Sequence, residues 1–128
     1  MKSPIPEAVF TDEGPVLDAN KLLRMRGYLD MEGFREIIGE FETGIRQQLV
    51  NLGSLELSPS QIEAICHDLI NFSGTLGMCE LMSSAERLRE FARRNARADV
   101  VTAQMELRRA GDRAVAALNA YMGGVDGG

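Results

Sequence analysis

Residues 57–77 read Leu57-Ser58-Pro59-Ser60-Gln61-Ile62-Glu63-Ala64-Ile65-Cys66-His67-Asp68-Leu69-Ile70-Asn71-Phe72-Ser73-Gly74-Thr75-Leu76-Gly77. This stretch contains the start, the inner face and the end of one helix. Ser58 stands as N-cap, and Pro59 takes the first helical position, where its missing N–H costs nothing. Gln61 completes an S-x-x-Q box, in which cap and third residue satisfy each other's free backbone donors, and Leu57 and Ile62 flank the start as a hydrophobic staple. Ile62, Ile65, Leu69, Phe72 and Leu76 then recur at helical spacing. Gly74 and Gly77 loosen and close the end.

The same grammar extends in both directions. Upstream, Asp30 caps a helix with Leu29 and Phe34 as staple, a stripe of Phe34, Ile37, Ile38, Phe41, Ile45 and Leu49, and Gly53 as terminator. Leu22, Leu23, Met25 and Leu29 suggest a short lead-in helix over residues 18–29. Downstream, a fourth helix turns Leu81, Ala85, Leu88 and Ala92 inward and ends in the polar stretch 93–99. A fifth, from about Asp99 to Met122, carries Val101, Leu107, Ala114, Leu118 and Met122. Pro4, Pro6 and Pro15 leave residues 1–17 without a sustained period, and residues 123–128 are mostly glycine, so a poorly ordered N-terminal segment and a flexible tail are expected. The predicted fold is all-α, an antiparallel up-down four-helix bundle with a short N-terminal lead-in helix, forming one domain over residues 18–122.

Composition narrows the functions. Hydrophobic residues make up 45% of the 128 and aromatics 5%, with no Trp, which suits packed helices better than sheets. The net charge of -5 argues against a nucleic-acid partner, which needs a basic face. Residues 1–82 hold 6 Lys/Arg against 13 Asp/Glu, whereas residues 83–113 hold 8 Arg against 5 acids, so a local basic strip remains. No apolar run approaches the roughly 18 residues of a membrane span. Cys66 and Cys79 sit inside helical patterns, no secretory signal precedes them, and a reduced, cytoplasmic monomer is expected. A zinc site is not expected, because no CxxC pair occurs and neighbouring helix residues diverge by about 100°. No nucleotide-binding motif occurs, so kinase activity is not expected either.

His67 is the single histidine. With Ile62 at 0° and about 100° per residue, the apolar stripe centres near 310° while His67 lies near 140° and Gly74 near 120°. The imidazole therefore points away from the core, beside a position without a side chain and one turn from the apolar Ile70. Neutral imidazole is a competent nucleophile near neutral pH, and its phosphorylated form is an energy-rich donor. Such chemistry needs access to a partner more than a pocket.

The segment from His67 to Gly77 resembles the phosphorylation segment of histidine phosphotransfer (HPt) domains, H-x-L-K-G-S-x-x-x-L-G. His67, Leu69, the small residues Ser73 and Gly74, Leu76 and Gly77 match it, and the five-helix layout agrees over about residues 30–122. The resemblance implies a bacterial-type phosphorelay intermediate rather than an enzyme: His67 takes a phosphoryl group from a receiver-domain aspartyl phosphate of a hybrid kinase and passes it to the receiver of a response regulator. The receiver supplies Mg²⁺ and the acidic pocket, and no cofactor belongs to this chain. Ile70, Asn71 and Gly74 would form the docking face. Three positions depart from the pattern: Ile70 replaces the family Lys, Asn71 the Gly and Phe72 the Ser. The family Lys helps hold the phosphoryl charge. If the third and fourth helices pair antiparallel about Gly77, Arg89 lies level with His67, on the flank of its own helix, and is expected to supply the charge instead. The rival reading is a helical adaptor that binds receivers or other partners without being phosphorylated.

Overall fold

The computed structural model describes residues 8–11, 14–54 and 56–127. Two short strands, β1 (Ala8–Thr11) and β2 (Gly14–Asp18), pair antiparallel, with Phe10 opposite Pro15 and Thr11 opposite Gly14. Five helices follow: α1 (Ala19–Arg26), α2 (Met31–Leu52), α3 (Pro59–Leu76), α4 (Cys79–Arg93) and α5 (Arg97–Gly127). Beyond the hairpin, the architecture is all-helical.

The helix starts follow the capping chemistry of the sequence. The Asp30 carboxylate accepts from the Gly33 N–H at 2.6 Å. At α3, the Gln61 N–H donates to Ser58 Oγ at 3.1 Å while the Ser58 N–H donates to Gln61 Oε1 at 2.8 Å, the reciprocal box. α3 ends where Gly77 takes the left-handed conformation, φ 75° and ψ 33°. The Met78 N–H reaches back to the Ser73 carbonyl at 2.8 Å, as in a Schellman motif. A Cβ at Gly77 would stand 2.8 Å from Asp18 Cβ, so this turn needs glycine for both its dihedral and its space.

α3 packs against α2 and α4, and α5 packs against α4 and α2. The core between them holds Phe34, Ile38 and Ile45 of α2, Ile62, Cys66 and Leu69 of α3, Leu81 and Leu88 of α4, and Leu107 and Leu118 of α5, all at most 4% exposed. Each fully buried aliphatic side chain of this size contributes about 1.5–3 kcal/mol. Among the described residues, no helix is long and apolar enough to cross a membrane.

The structure corrects three expectations. Residues 1–7 and 12–13 lie outside the described residues, but Gly14–Leu17 are not a poorly ordered segment: β2 packs on α4 and α5, and Val16 and Leu17 are only 3% and 4% exposed. A strand this short, with two adjacent apolar residues buried, offers no alternation to detect. α5 does not stop at Met122 but runs through Gly123 and Gly124 to Gly127. Each glycine costs a helix about 1 kcal/mol, yet extending a formed helix is far easier than nucleating one. Val101 in α5 faces solvent, at 60% exposure, and the inward stripe of α5 is instead Ala103, Leu107, Ala110, Ala114 and Leu118.

Candidate functional site

Two sets of contacts fix how α3 is rotated. On its α2 side, the Phe72 ring covers Gly44, where a Cβ would stand 2.7 Å from the ring, and meets Phe41 edge-on at 5.7 Å between centroids. Gln48 Nε2 donates to an Asp68 carboxylate oxygen at 2.6 Å on the same side. On its α4 side, Arg93 Nε donates to Glu63 Oε1 at 2.8 Å, and Met82 Sδ lies 3.7 Å from where a Gly74 Cβ would sit. Cys66 and Leu69 are buried inward at 0% exposure. His67, between these anchored flanks and opposite the core, is exposed.

His67 does not stand alone on that face. Asn71, one turn further along, places its amide nitrogen 3.3 Å from His67 Nε2. With that nitrogen turned toward the ring, the contact is a hydrogen bond when Nε2 is the unprotonated, accepting nitrogen, so its direction depends on the ring's tautomer. The backbone carbonyl of Asn71 accepts separately from Thr75 Oγ1 at 3.0 Å.

Arg89 is half-buried on α4. Four residues inward from the Glu63–Arg93 ion pair, or seven from the Gly74–Met82 contact, the register reaches His67 on α3 and Arg89 on α4. Its charge is felt at the neighbouring Cys66: burial pushes that thiol up to about 12, while the Arg89 guanidinium pulls it down and Glu63 adds to the rise. The thiol is thereby kept protonated. Arg89 enters no ion pair among the described residues, and the side-chain partner that holds His67 is Asn71 rather than Arg89.

The remaining expected residues are less bare than the sequence suggests. Ile70 is half-buried and packs against the core cluster, so only part of it faces the site. Gly74 is half-buried, and its carbonyl accepts from Lys21 Nζ of α1 at 2.8 Å. Lys21 is 53 residues distant in sequence from Gly74, and no local pattern announces the contact. The His67–Asn71 contact does have a signal, the i,i+4 spacing that stacks side chains on one helix face. Among the described residues, no group of three or more His, Cys, Asp or Glu could hold a metal ion.

No family model matches the chain, and no curated protein or solved structure matches it.

Proposed function

We propose that this chain is a histidine phosphotransfer protein, a carrier that accepts a phosphoryl group on His67 from a receiver aspartyl phosphate and hands it to a second receiver. The observation that carries the reading is the single exposed imidazole on α3, opposite the core, with Arg89 of α4 four residues along from the Glu63–Arg93 pair, as His67 is, and in no ion pair among the described residues. The finer architecture proposed with it is an antiparallel up-down four-helix bundle. Its support is that contacting residues run in opposite directions on each neighbouring pair: Glu63 with Arg93 and Gly74 near Met82 for α3 and α4, Glu80 with Arg113 and Arg87 with Glu106 for α4 and α5, Gln48 with Asp68 and Gly44 under Phe72 for α2 and α3.

In the transfer, a lone pair of the neutral imidazole attacks the phosphorus of the aspartyl phosphate. The bond from phosphorus to the carboxyl oxygen breaks, and its electron pair leaves with the receiver carboxylate. The ring keeps the N–H on its other nitrogen, so the first product is an N-phosphoryl imidazolium and no external base is needed. Arg89 faces the new charge, and Ile70, Asn71 and Gly74 lie under the docked receiver, which brings its own Mg²⁺ and acidic pocket. An open, convex site suits a nucleophile that must enter a partner's cleft.

The test is to mix the chain with phosphorylated receiver domains and look for label on the chain. Label that is acid-labile and alkali-stable, and that disappears in His67→Gln, supports the carrier. Receiver binding without label would leave the non-phosphorylated adaptor, a reading favoured by Ile70 at the position where the HPt pattern has Lys.

A further inference from the structure

We propose that Asn71 is a positioning residue that holds the imidazole of His67 in the Nδ1–H tautomer and so presents Nε2 as the nucleophilic nitrogen. The inference rests on the phosphoryl-acceptor reading of His67 for its use, but not for the tautomer itself.

The geometry is local and specific. Asn71 Nδ2 lies 3.3 Å from Nε2, and a nitrogen that accepts a hydrogen bond carries no proton in the neutral ring, so the proton sits on Nδ1. In a free histidine side chain the other tautomer, Nε2–H, is the more common. The amide thus works against the intrinsic preference of the ring. α3 provides the spacing, since residues four apart stand one above the other on a helix face, and Asn71 is itself exposed, its side chain meeting His67 and no other side chain among the described residues.

The contact is also long enough to be exchanged. An N–H···N separation of 3.3 Å is beyond the usual short range of such bonds, so the amide screens the lone pair without sealing it. When Nε2 bonds to phosphorus, the lone pair is consumed and the amide N–H loses its acceptor. The phosphoryl oxygens then stand where the acceptor was, and they bind N–H donors more strongly because they are charged. Asn71 therefore selects the attacking nitrogen before transfer and donates to the phosphoryl group after it. The usual glycine of the HPt pattern at this position could do neither.

The test reads the tautomer directly. In protein labelled with ¹⁵N-histidine, long-range ¹H–¹⁵N correlations at about pH 9, where imidazoles are neutral, should give the native chain a protonated Nδ1 and an unprotonated Nε2. Asn71→Ala should shift the ring toward Nε2–H. Asn71→Asp, whose carboxylate accepts but does not donate, should invert the pattern almost completely. Both variants change an exposed helix position and should keep the native fold, checked by thermal unfolding. A native Nε2–H pattern, or a pattern unchanged in both variants, overturns the proposal.

A second measurement uses phosphoramidate, a small phosphoryl donor that needs no docking surface. If Asn71→Ala leaves about a tenth of the rings in the competent tautomer, phosphorylation at Nε2 slows about tenfold. An unchanged rate in a variant whose tautomer has shifted would overturn the link from tautomer to reactivity. If the native chain takes up no phosphoryl group while its tautomer is Nδ1–H, the carrier reading fails and the assignment of the tautomer stands.

Discussion

Arg89→Ala should weaken the phosphorylated form of the chain and leave the unphosphorylated form intact. A phosphoryl group carries about -1.5 to -2 charge, and a guanidinium about 5 Å from one unit of that charge gains roughly 0.8 kcal/mol in bulk water and 3.3 kcal/mol near a protein surface. Arg89 is half-buried but His67 is exposed, so solvent screening keeps the effect toward the lower part of that range, about 1.4 kcal/mol. That is about tenfold in the equilibrium constant for phosphoryl exchange with one receiver domain. The assay follows label at equilibrium between chain and receiver, for native protein and variant, at two salt concentrations. The difference should shrink at about 0.5 M salt, because screening acts on an exposed pair of charges. Stability should change little, since Arg89 enters no ion pair among the described residues, and thermal unfolding checks this. Ile70→Lys in the variant should restore part of the equilibrium, with its stem along the core edge where Ile70 packs. An equilibrium for Arg89→Ala within about twofold of native would refute the assignment of charge stabilisation to Arg89.

His67→Gln should unfold within about 0.5 kcal/mol of native, being a solvent-face change, and should accept no label from any receiver. Gly74→Arg should fold, because the added Cβ meets only Met82 Sδ at an ordinary 3.7 Å, and should slow transfer from a receiver strongly while leaving phosphorylation by phosphoramidate nearly unchanged. Gly77→Ala should lower stability by about 1–3 kcal/mol by denaturant titration, since φ there is 75° and the new Cβ would press on Asp18.

Much of the helical framework was legible in the sequence because it is written in short-range chemistry. Ser58, Pro59 and Gln61 set the start of α3, and Asp30 and Gly53 bound α2, each by bonds spanning three or four residues. The outward direction of His67 followed from helical periodicity alone, and its exposure agrees. What escaped depends on contacts between distant segments. β2 is fixed by packing on α4 and α5, and Lys21 meets Gly74 across 53 residues. Glu80, at the start of α4, is only 2% exposed because Arg113 of α5, 33 residues on, comes over it with hydrogen bonds of 2.5 and 3.1 Å. The exposure of Val101 was missed because α5 has apolar residues on both sides of its true stripe, and neighbouring elements select which side is buried.

α3 is gripped on three sides. Phe72 is locked over Gly44 on one flank, the Glu63–Arg93 pair and Met82 hold the other, and Gly77 is closed against Asp18 at the end. None of these anchors touches the imidazole, whose hydrogen bond to Asn71 lies wholly on the outer face. A group attached at that ring, as proposed, would sit outside every one of these anchors. On the proposed carrier reading, the chain would act through the group it presents on its outer face rather than through a rearrangement of α3.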